Sequence, residues 1–369
     1  MIATTPLWLC WMVPVAIFGG MDANPSLFIY DWMKRSSNSR STYFKNKRIW
    51  ITGASSGIGA ELARQFHQHG AHLILSSRKE ESLLQLQTSL QQHDDDDNNE
   101  CQTNSIQILP LDVTMSQDDD DGWNDIFQNV NVDDIDIVIL NAGLGQLSPA
   151  EQDLSMEKQN RQIMEVNYWG PVQMTQRLLQ QQQQQSKKKN LHIVVTSSVA
   201  AKMAVPLSST YAASKHALHG YFKSLQSEVA ADQHTIRIDL PCPGPVDTNF
   251  HQNILQPNKN NDLTTTTTKS TSKSKMPPQR CAQLIIASIM GPSILMHETW
   301  ISRQPTLFFT YLSQYSPGLA TLLLNQIGKL RLRAHKSGLP LYELSTWLKV
   351  AFQYKQLSES NNESKENKS

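Results

Sequence analysis

Apolar positions along the chain fall into short runs that are hydrophobic on both faces. Six such runs occur, at Arg48–Thr52, His72–Ser76, Ile106–Pro110, Ile135–Leu140, Leu191–Thr196 and Ile236–Leu240. Strands covered on both faces read this way, and they belong to parallel sheets. Between them lie stretches with helical spacing, at Gly59–His69, Glu80–Gln92, Trp123–Val130, Met156–Gln180 and Thr210–Ala231. Strand–helix alternation at this interval predicts an α/β fold, a single doubly wound parallel sheet with helices on both faces. No internal repeat is visible.

Two zones depart from this pattern towards greater hydrophobicity. Residues 1–21 contain no charged side chain, and Leu7–Met21 is apolar. A signal peptide would want a cationic start and a small-residue cleavage site, which the segment lacks. It reads instead as a single N-terminal membrane anchor with its juxtamembrane residues, 1–30, although its apolar core is shorter than a full span. Lys34, Arg35 and Arg40 follow it and favour a cytosolic body, with Asp22 and Asp31 blurring that signal. The second zone, Trp300–Leu324, is interrupted by Pro317 and reads as two short helices. These either cap a substrate cleft, lie on a bilayer beside Lys329, Arg331 and Arg333, or form plain core.

Polar low-complexity runs depart the other way: Asp94–Asp97, Asp118–Asp121, Gln180–Gln185 with Lys187–Lys189, and Thr264–Thr268. They bury no apolar area and are expected to be solvated surface loops. The chain therefore divides into an anchor, an α/β domain at 46–295, an apolar extension at 296–345 and a polar tail at 356–369. The domain carries polar inserts near 91–105, 116–122, 180–190 and 255–275.

Composition narrows the function. Thirty-three basic residues balance thirty-three acidic ones, so no cationic excess exists to coat nucleic acid. Four scattered cysteines (Cys10, Cys101, Cys242, Cys281) make neither a zinc motif nor a disulfide framework. The acidic runs lack the alternating ligands and turn glycine of a calcium loop, so no metal is expected. A mean hydropathy of −0.42 averages over the two extremes and hides the apolar zones.

The chemistry begins where the first strand ends. Thr52 leads into Gly53-Ala-Ser55-Ser56-Gly57-Ile58-Gly59 and then a helix. Glycines there permit a tight turn and close backbone approach to a pyrophosphate, with a helix N-terminus facing the phosphates, as in a Rossmann-type dinucleotide site. The second strand ends at Ser77-Arg78, without the carboxylate that would hold the ribose hydroxyls of NAD. A guanidinium in that place favours a 2′-phosphate, hence NADP(H) over NAD(H). Tyr211 and Lys215 stand one helical turn apart and share a face. An ammonium beside a phenol favours the phenolate and lowers its pKa, which fits the tyrosine for proton transfer at neutral pH.

Taken together these elements resemble the short-chain dehydrogenase/reductase family. The resemblance rests on the G-x-x-x-G-x-G turn at Gly53, Asp112-Val113 after the third strand, and Asn141-Ala142-Gly143 after the fourth, where Leu140 replaces a usual asparagine. It also rests on Asn167 in the long helix, Ser198 thirteen residues before Tyr211, the Tyr211-x-x-x-Lys215 pair, and Pro243-Gly244-Pro-Val246-Asp-Thr248 after the sixth strand. Further similarity, through Glu298–Pro305 to about residue 338, points to the family's membrane-anchored retinoid and steroid reductase branch. The resemblance implies Asn167, Ser198, Tyr211 and Lys215 as the catalytic set. Ser198 and Tyr211 would hold the substrate oxygen, Lys215 the nicotinamide ribose, and Asn167 a water joining Lys215 to solvent. It implies NADPH-dependent reduction of lipophilic carbonyls, residence in the endoplasmic reticulum membrane, and a homodimer. An NAD-dependent alcohol dehydrogenase or a non-catalytic scaffold are the alternatives. His216 and His219 read as packing or surface residues, and Met203 and Leu207 as pocket lining.

Overall fold

The computed structural model describes residues 18–34, 39–96, 104–115, 120–131, 134–151, 156–184, 190–231, 236–248, 275–337 and 339. Seven strands form one parallel sheet: β1 (Arg48–Thr52), β2 (His72–Ser76), β3 (Ile106–Ile108), β4 (Ile137–Leu140), β5 (Leu191–Val195), β6 (Ile236–Pro243) and β7 (Glu298–Ile301). Their order across the sheet is β3-β2-β1-β4-β5-β6-β7. Successive side chains point to opposite faces and both faces are covered. Ile49 and Ile51 enter one apolar cluster, whereas Trp50 enters the other. Likewise Ile137 and Ile139 face one side and Val138 and Leu140 the other. Each large aliphatic chain buried this way contributes roughly 1.5–3 kcal/mol.

The helices are α1 (Pro25–Lys34), α2 (Ser39–Phe44), α3 (Gly57–Gln68), α4 (Glu80–Asp96), α5 (Asp120–Asn129), α6 (Glu157–Met164), α7 (Gly170–Gln184), α8 (Ser209–Ala231), α9 (Pro278–Met290), α10 (Ser293–Met296), α11 (Thr306–Tyr315) and α12 (Pro317–Lys336). The expected Rossmann-type α/β fold is present. The order reverses between β1 and β4, which opens a crevice at the carboxyl ends of those strands.

Several expectations need correction. The acidic run does not begin a loop, because α4 continues through Asp96, and α7 runs on through Gln184. Glutamine is a good helix former, and neither run holds a proline or glycine to stop the helix. The Thr264–Thr268 run lies outside the described residues. The segment expected as one helix, Met156–Gln180, is broken by a π segment at Glu165–Trp169 between α6 and α7. Pro171 has no N–H to offer the carbonyl four residues back, at Asn167, so the α ladder cannot pass this point intact. Strand β7 was not anticipated; it is only four residues long and carries Glu298 and Trp300 among its side chains.

Residues 18–34 pack against the domain. Asn24 pairs with Trp300 in both directions, N–H to carbonyl at 2.8 Å and side-chain oxygen from Trp300 N–H at 3.0 Å. Arg280 forks onto Asp22 at 2.7 and 3.0 Å and reaches Asp31 at 2.6 Å. Leu27 is fully buried. The two aspartates that blurred the charge signal are thus the clamp fastening α1 to α9. Among the described residues no helix is long and apolar enough to cross a membrane; residues 1–17, which hold most of the apolar segment, lie outside them.

Candidate active site

Thr52 closes β1 and organises the centre of the crevice. Its hydroxyl accepts the N–H groups of Asn141 at 3.0 Å and Ala142 at 3.3 Å, and donates to the Ile139 carbonyl at 3.4 Å. The Asn141 amide reaches back to the carbonyls of Thr52 and Gly53, both at 3.4 Å. The turn after β1 and the loop after β4 are therefore one unit. Gly53 has φ +65° and lies so close to that loop that a Cβ would stand 2.8 Å from the Ala142 Cα. A Cβ on Gly59 would collide with the Gly53 carbonyl. Only glycine fits either place.

A cleft of about 620 Å³ opens above this unit. Gly53, Ser55, Ser56, Gly57 and Ile58 line its floor. Arg78 and Asp112-Val113 line its outer end, with Lys79 beside Arg78 and both cations exposed. Asn141, Ala142 and Gly143 form the middle; Pro243, Gly244, Val246 and Thr248 close the far wall. The Asp112 carboxylate binds the Thr114 N–H and hydroxyl at 3.0 and 2.8 Å, which fixes the bend after β3.

Ser198, Tyr211 and Lys215 line the same cleft. Ser198 heads the 3₁₀ turn Val199–Ala201; its Oγ accepts the Ala200 N–H at 3.1 Å and donates to the Pro243 carbonyl at 3.2 Å. Lys215 donates to the Thr196 carbonyl at 2.9 Å. Burial lowers its ammonium from an ordinary 10.5 to about 8, against a smaller opposing effect of Cys242.

Gly59 and Asn167 do not line the cleft; they stand behind it. Asn167 is fully buried. Its side-chain oxygen accepts the Leu144 N–H at 2.8 Å, and its Nδ2 donates to the Leu144 carbonyl at 2.9 Å and to Ser214 Oγ at 3.0 Å. The carboxamide is engaged on all sides, so a water at Asn167 would have to meet its backbone. Leu207 does not line the cleft either, but packs with Ala334 of α12. Met203 does line it.

Three contributions were not anticipated, and a fourth comes from the second apolar zone. Thr52 could have been found as the hydroxyl residue directly before Gly53. Gln146 lines the cleft and bonds the start of α8, and nothing in its sequence context marks it. Phe309 of α11 and Leu324, Ile327 and Arg331 of α12, from the second apolar zone, also line the cleft. Finally, Glu298 sits among Lys202 (2.9 Å), Lys223 (2.7 Å), His219 (3.1 Å) and the Trp300 indole (2.7 Å). Burial alone would raise its carboxyl, yet these partners hold it well below the usual carboxylate range. His219 donates from Nε2 to Glu298 and therefore accepts the Ser197 hydroxyl at Nδ1, 3.1 Å away. Its ligand atom lies within 4.8 Å of those of Cys242 and Glu298. Two lysines already balance that carboxylate, and burial pushes the Cys242 thiol up to about 12, so the cluster is a charge-compensated packing network. His219 is thus the packing residue its sequence position suggested.

Fold and cleft together define a doubly wound dinucleotide-type domain with a tyrosine–lysine pair in the same cleft. Residues 47–259 match the family model for short chain dehydrogenases, and the chain belongs to the short-chain dehydrogenase/reductase family of oxidoreductases. It is 33% identical over 331 residues to dehydrogenase/reductase SDR family member 7 of Homo sapiens, covering 89% of this chain and 91% of the relative. The Mus musculus protein of the same name is 31% identical over 330 residues, covering 89% and 90%. Among solved structures, a short chain dehydrogenase/reductase from Burkholderia phymatum in complex with NAD matches with a TM-score of 0.58 at 20% identity, over 75% of this chain and 95% of that one. An alcohol dehydrogenase from Thermococcus sibiricus complexed with 5-hydroxy-NADP matches with a TM-score of 0.55 at 23% identity, over 70% and 97%.

The residues present fit an NAD(P) cofactor, the group this fold binds. Gly53 and Gly57, with φ of +65° and +59°, present bare backbone to the cleft where phosphates would lie, and the Thr196 hydroxyl beside Lys215 is buried without a protein partner.

Proposed function

We propose that the protein is an NADPH-dependent reductase of lipophilic carbonyl compounds, with Tyr211 as proton donor. One observation carries this reading: a buried lysine one helical turn from Tyr211, in the same cleft as the glycine cradle and Ser198. The Gly53–Gly59 turn, Asp112-Val113 and the Asn141–Gly143 loop would hold the cofactor along the sheet edge, and Val246 and Thr248 would close over it. Exposed Arg78, with Lys79 beside it, supports a 2′-phosphate at the outer end.

The bound nicotinamide supplies the hydride. Tyr211 gives its phenolic proton to the carbonyl oxygen as charge builds there. The Lys215 ammonium favours the resulting phenolate. Ser198 exchanges its long bond to the Pro243 carbonyl for one to the substrate oxygen and stabilises the same charge. A water at the Asn167 backbone would return protons to Lys215 from solvent. Phe309, Leu324 and Ile327 give the substrate end an apolar lid, which supports lipophilic substrates such as retinal-like aldehydes or ketosteroids. The uncharged segment before residue 22 supports attachment to the endoplasmic reticulum membrane.

The test is NADPH oxidation by the full chain over a panel of retinal, ketosteroids and simple aldehydes. Turnover is expected with the apolar members, and Tyr211→Phe should abolish it while leaving NADPH binding within twofold. Turnover retained in that variant would sink the mechanism. Because Lys215 is protonated only below about 8 in the free protein, kcat/KM for reduction should decline as pH rises through that value.

A further inference from the structure

Helix α8 begins at Ser209, and its first N–H groups lie beyond the reach of its own carbonyl ladder. The residue before a helix commonly serves such groups with its side chain. Here that residue is Ser208, and its hydroxyl points elsewhere, donating to the Gln146 carbonyl at 2.9 Å. The Gln146 side chain takes over the task from another part of the chain. Its Oε1 accepts the Thr210 N–H at 2.8 Å and the Tyr211 N–H at 3.2 Å. Its Nε2 donates to Asn160 Oδ1 at 3.1 Å, which fixes the oxygen towards α8. Gln146 is 4% exposed.

The opposite end of the Tyr211 peptide is held as well. Ser214 Oγ donates to the Tyr211 carbonyl at 2.7 Å and accepts Asn167 Nδ2 at 3.0 Å. Asn167 in turn grips Leu144 in both directions. Leu144 and Gln146 belong to the loop that Thr52 fastens to the glycine turn. One loop therefore sets both the nucleotide cradle and, through two independent links, the backbone of Tyr211.

We infer that Gln146 is a positioning residue for Tyr211, capping the helix that carries it and tying its place to the cofactor cradle. This rests on Tyr211 being the proton donor. A displacement of about 1 Å at a reacting group costs on the order of 100-fold in rate. Loss of the cap in Gln146→Ala should therefore lower kcat by roughly 10–100-fold, with KM and NADPH affinity within twofold. Amide hydrogen exchange at Thr210 and Tyr211 should speed up in that variant. Gln146→Glu keeps an oxygen acceptor at the same reach, so it should recover most of kcat. Its added negative charge disfavours a phenolate and favours an ammonium nearby, so the high-pH limb of kcat/KM for reduction should move upward.

The outcomes separate cleanly. Wild-type kcat and wild-type exchange in Gln146→Ala overturn the inference. Should that variant not fold, Gln146→Glu decides: recovered turnover with a displaced limb supports the inference, and an unmoved limb overturns it. Turnover surviving in Tyr211→Phe overturns the underlying mechanism. An inactive Tyr211→Phe beside fully active Gln146 variants overturns only the positioning role.

Discussion

Along the nucleotide half of the cleft the contacts are backbone against backbone, set by Gly53, Gly59 and the Thr52 hydroxyl on the Asn141–Ala142 amides. Along the substrate half the walls are side chains from distant places, Gln146, Met203, Phe309 and Ile327, and the network around Glu298 stands behind Ser197 of that wall. The first half tolerates almost no change of volume and depends little on charge. The second depends on long-range packing and on ion pairs, which are open to pH and to gradual reshaping. A family can hold its cofactor constant while changing its substrate if the two halves are built from such different materials.

The largest expected effect breaks the rigid half. Gly59→Ala places a methyl against the Gly53 carbonyl, and neither backbone can yield without moving the cradle. Overpacking of this kind costs about 3 kcal/mol. NADPH affinity in a fluorescence titration should fall more than about 100-fold, with a lower Tm. A variant that binds NADPH normally would show that the cradle can relax and that the two halves are alike in stiffness.

Glu298→Gln tests the ionic half. Removing the carboxylate leaves Lys202 and Lys223 facing a neutral amide, and breaking this half-buried, solvent-screened network costs about 1–2 kcal/mol. Gln314 of α11 donates to the Lys202 carbonyl at 2.8 Å, so the lid should loosen with that loop. KM for an apolar ketone should rise while NADPH affinity stays within twofold. Glu298 has a carboxyl held below its ordinary 4.5, so its stabilisation is present above that pH and is lost as pH falls beneath it. Tm of the natural protein should therefore drop below about pH 4.5, and the variant's Tm–pH curve should be flatter there. A parallel curve would place the acid sensitivity elsewhere.

Phe309→Ala reaches the lid more gently. Deleting a part-buried ring forfeits about 2 kcal/mol of apolar contact with a long substrate, or roughly 30-fold in kcat/KM. A short aldehyde that does not reach α11 should be unaffected. Equal losses for long and short substrates would mean that Phe309 supports the fold and does not select the substrate.

The same contrast explains what was legible in the sequence. The sheet, its first six strands and the cradle follow from contiguous signals: two-sided apolar runs, a glycine turn at a strand end, Tyr211 and Lys215 one turn apart. Strand β7 is fully covered on one face only, with Glu298 and Trp300 partly exposed on the other, so no two-sided apolar run marks it and it gains its place by pairing beside β6. Gln146 looks like any polar loop residue until α8 is brought to it. Arg280 and the pair Asp22 and Asp31 are separated by about 250 positions, and no local pattern announces their clamp. The π segment leaves helical periodicity almost intact, so Asn167 was placed in the right element but not in its tethering role. What is encoded locally was readable; what depends on tertiary meeting was not.

Arg78 is where the nucleotide half stops resembling itself. It is an exposed side chain at the rim, with Lys79 next to it, and no backbone contact fixes its reach. Its contribution should thus behave like the charged half of the molecule and not like the glycine cradle. Arg78→Ala should weaken NADPH binding by about 10-fold and leave NADH binding unchanged. The difference should shrink as salt rises towards 1 M, where screening is complete within a few ångströms. Loss of affinity for both cofactors alike would mean that Arg78 shapes the turn after β2 instead of reading a 2′-phosphate. Equal affinities for both cofactors in the natural protein would remove the case for NADPH while leaving the cradle, the lid and their contrast as they stand.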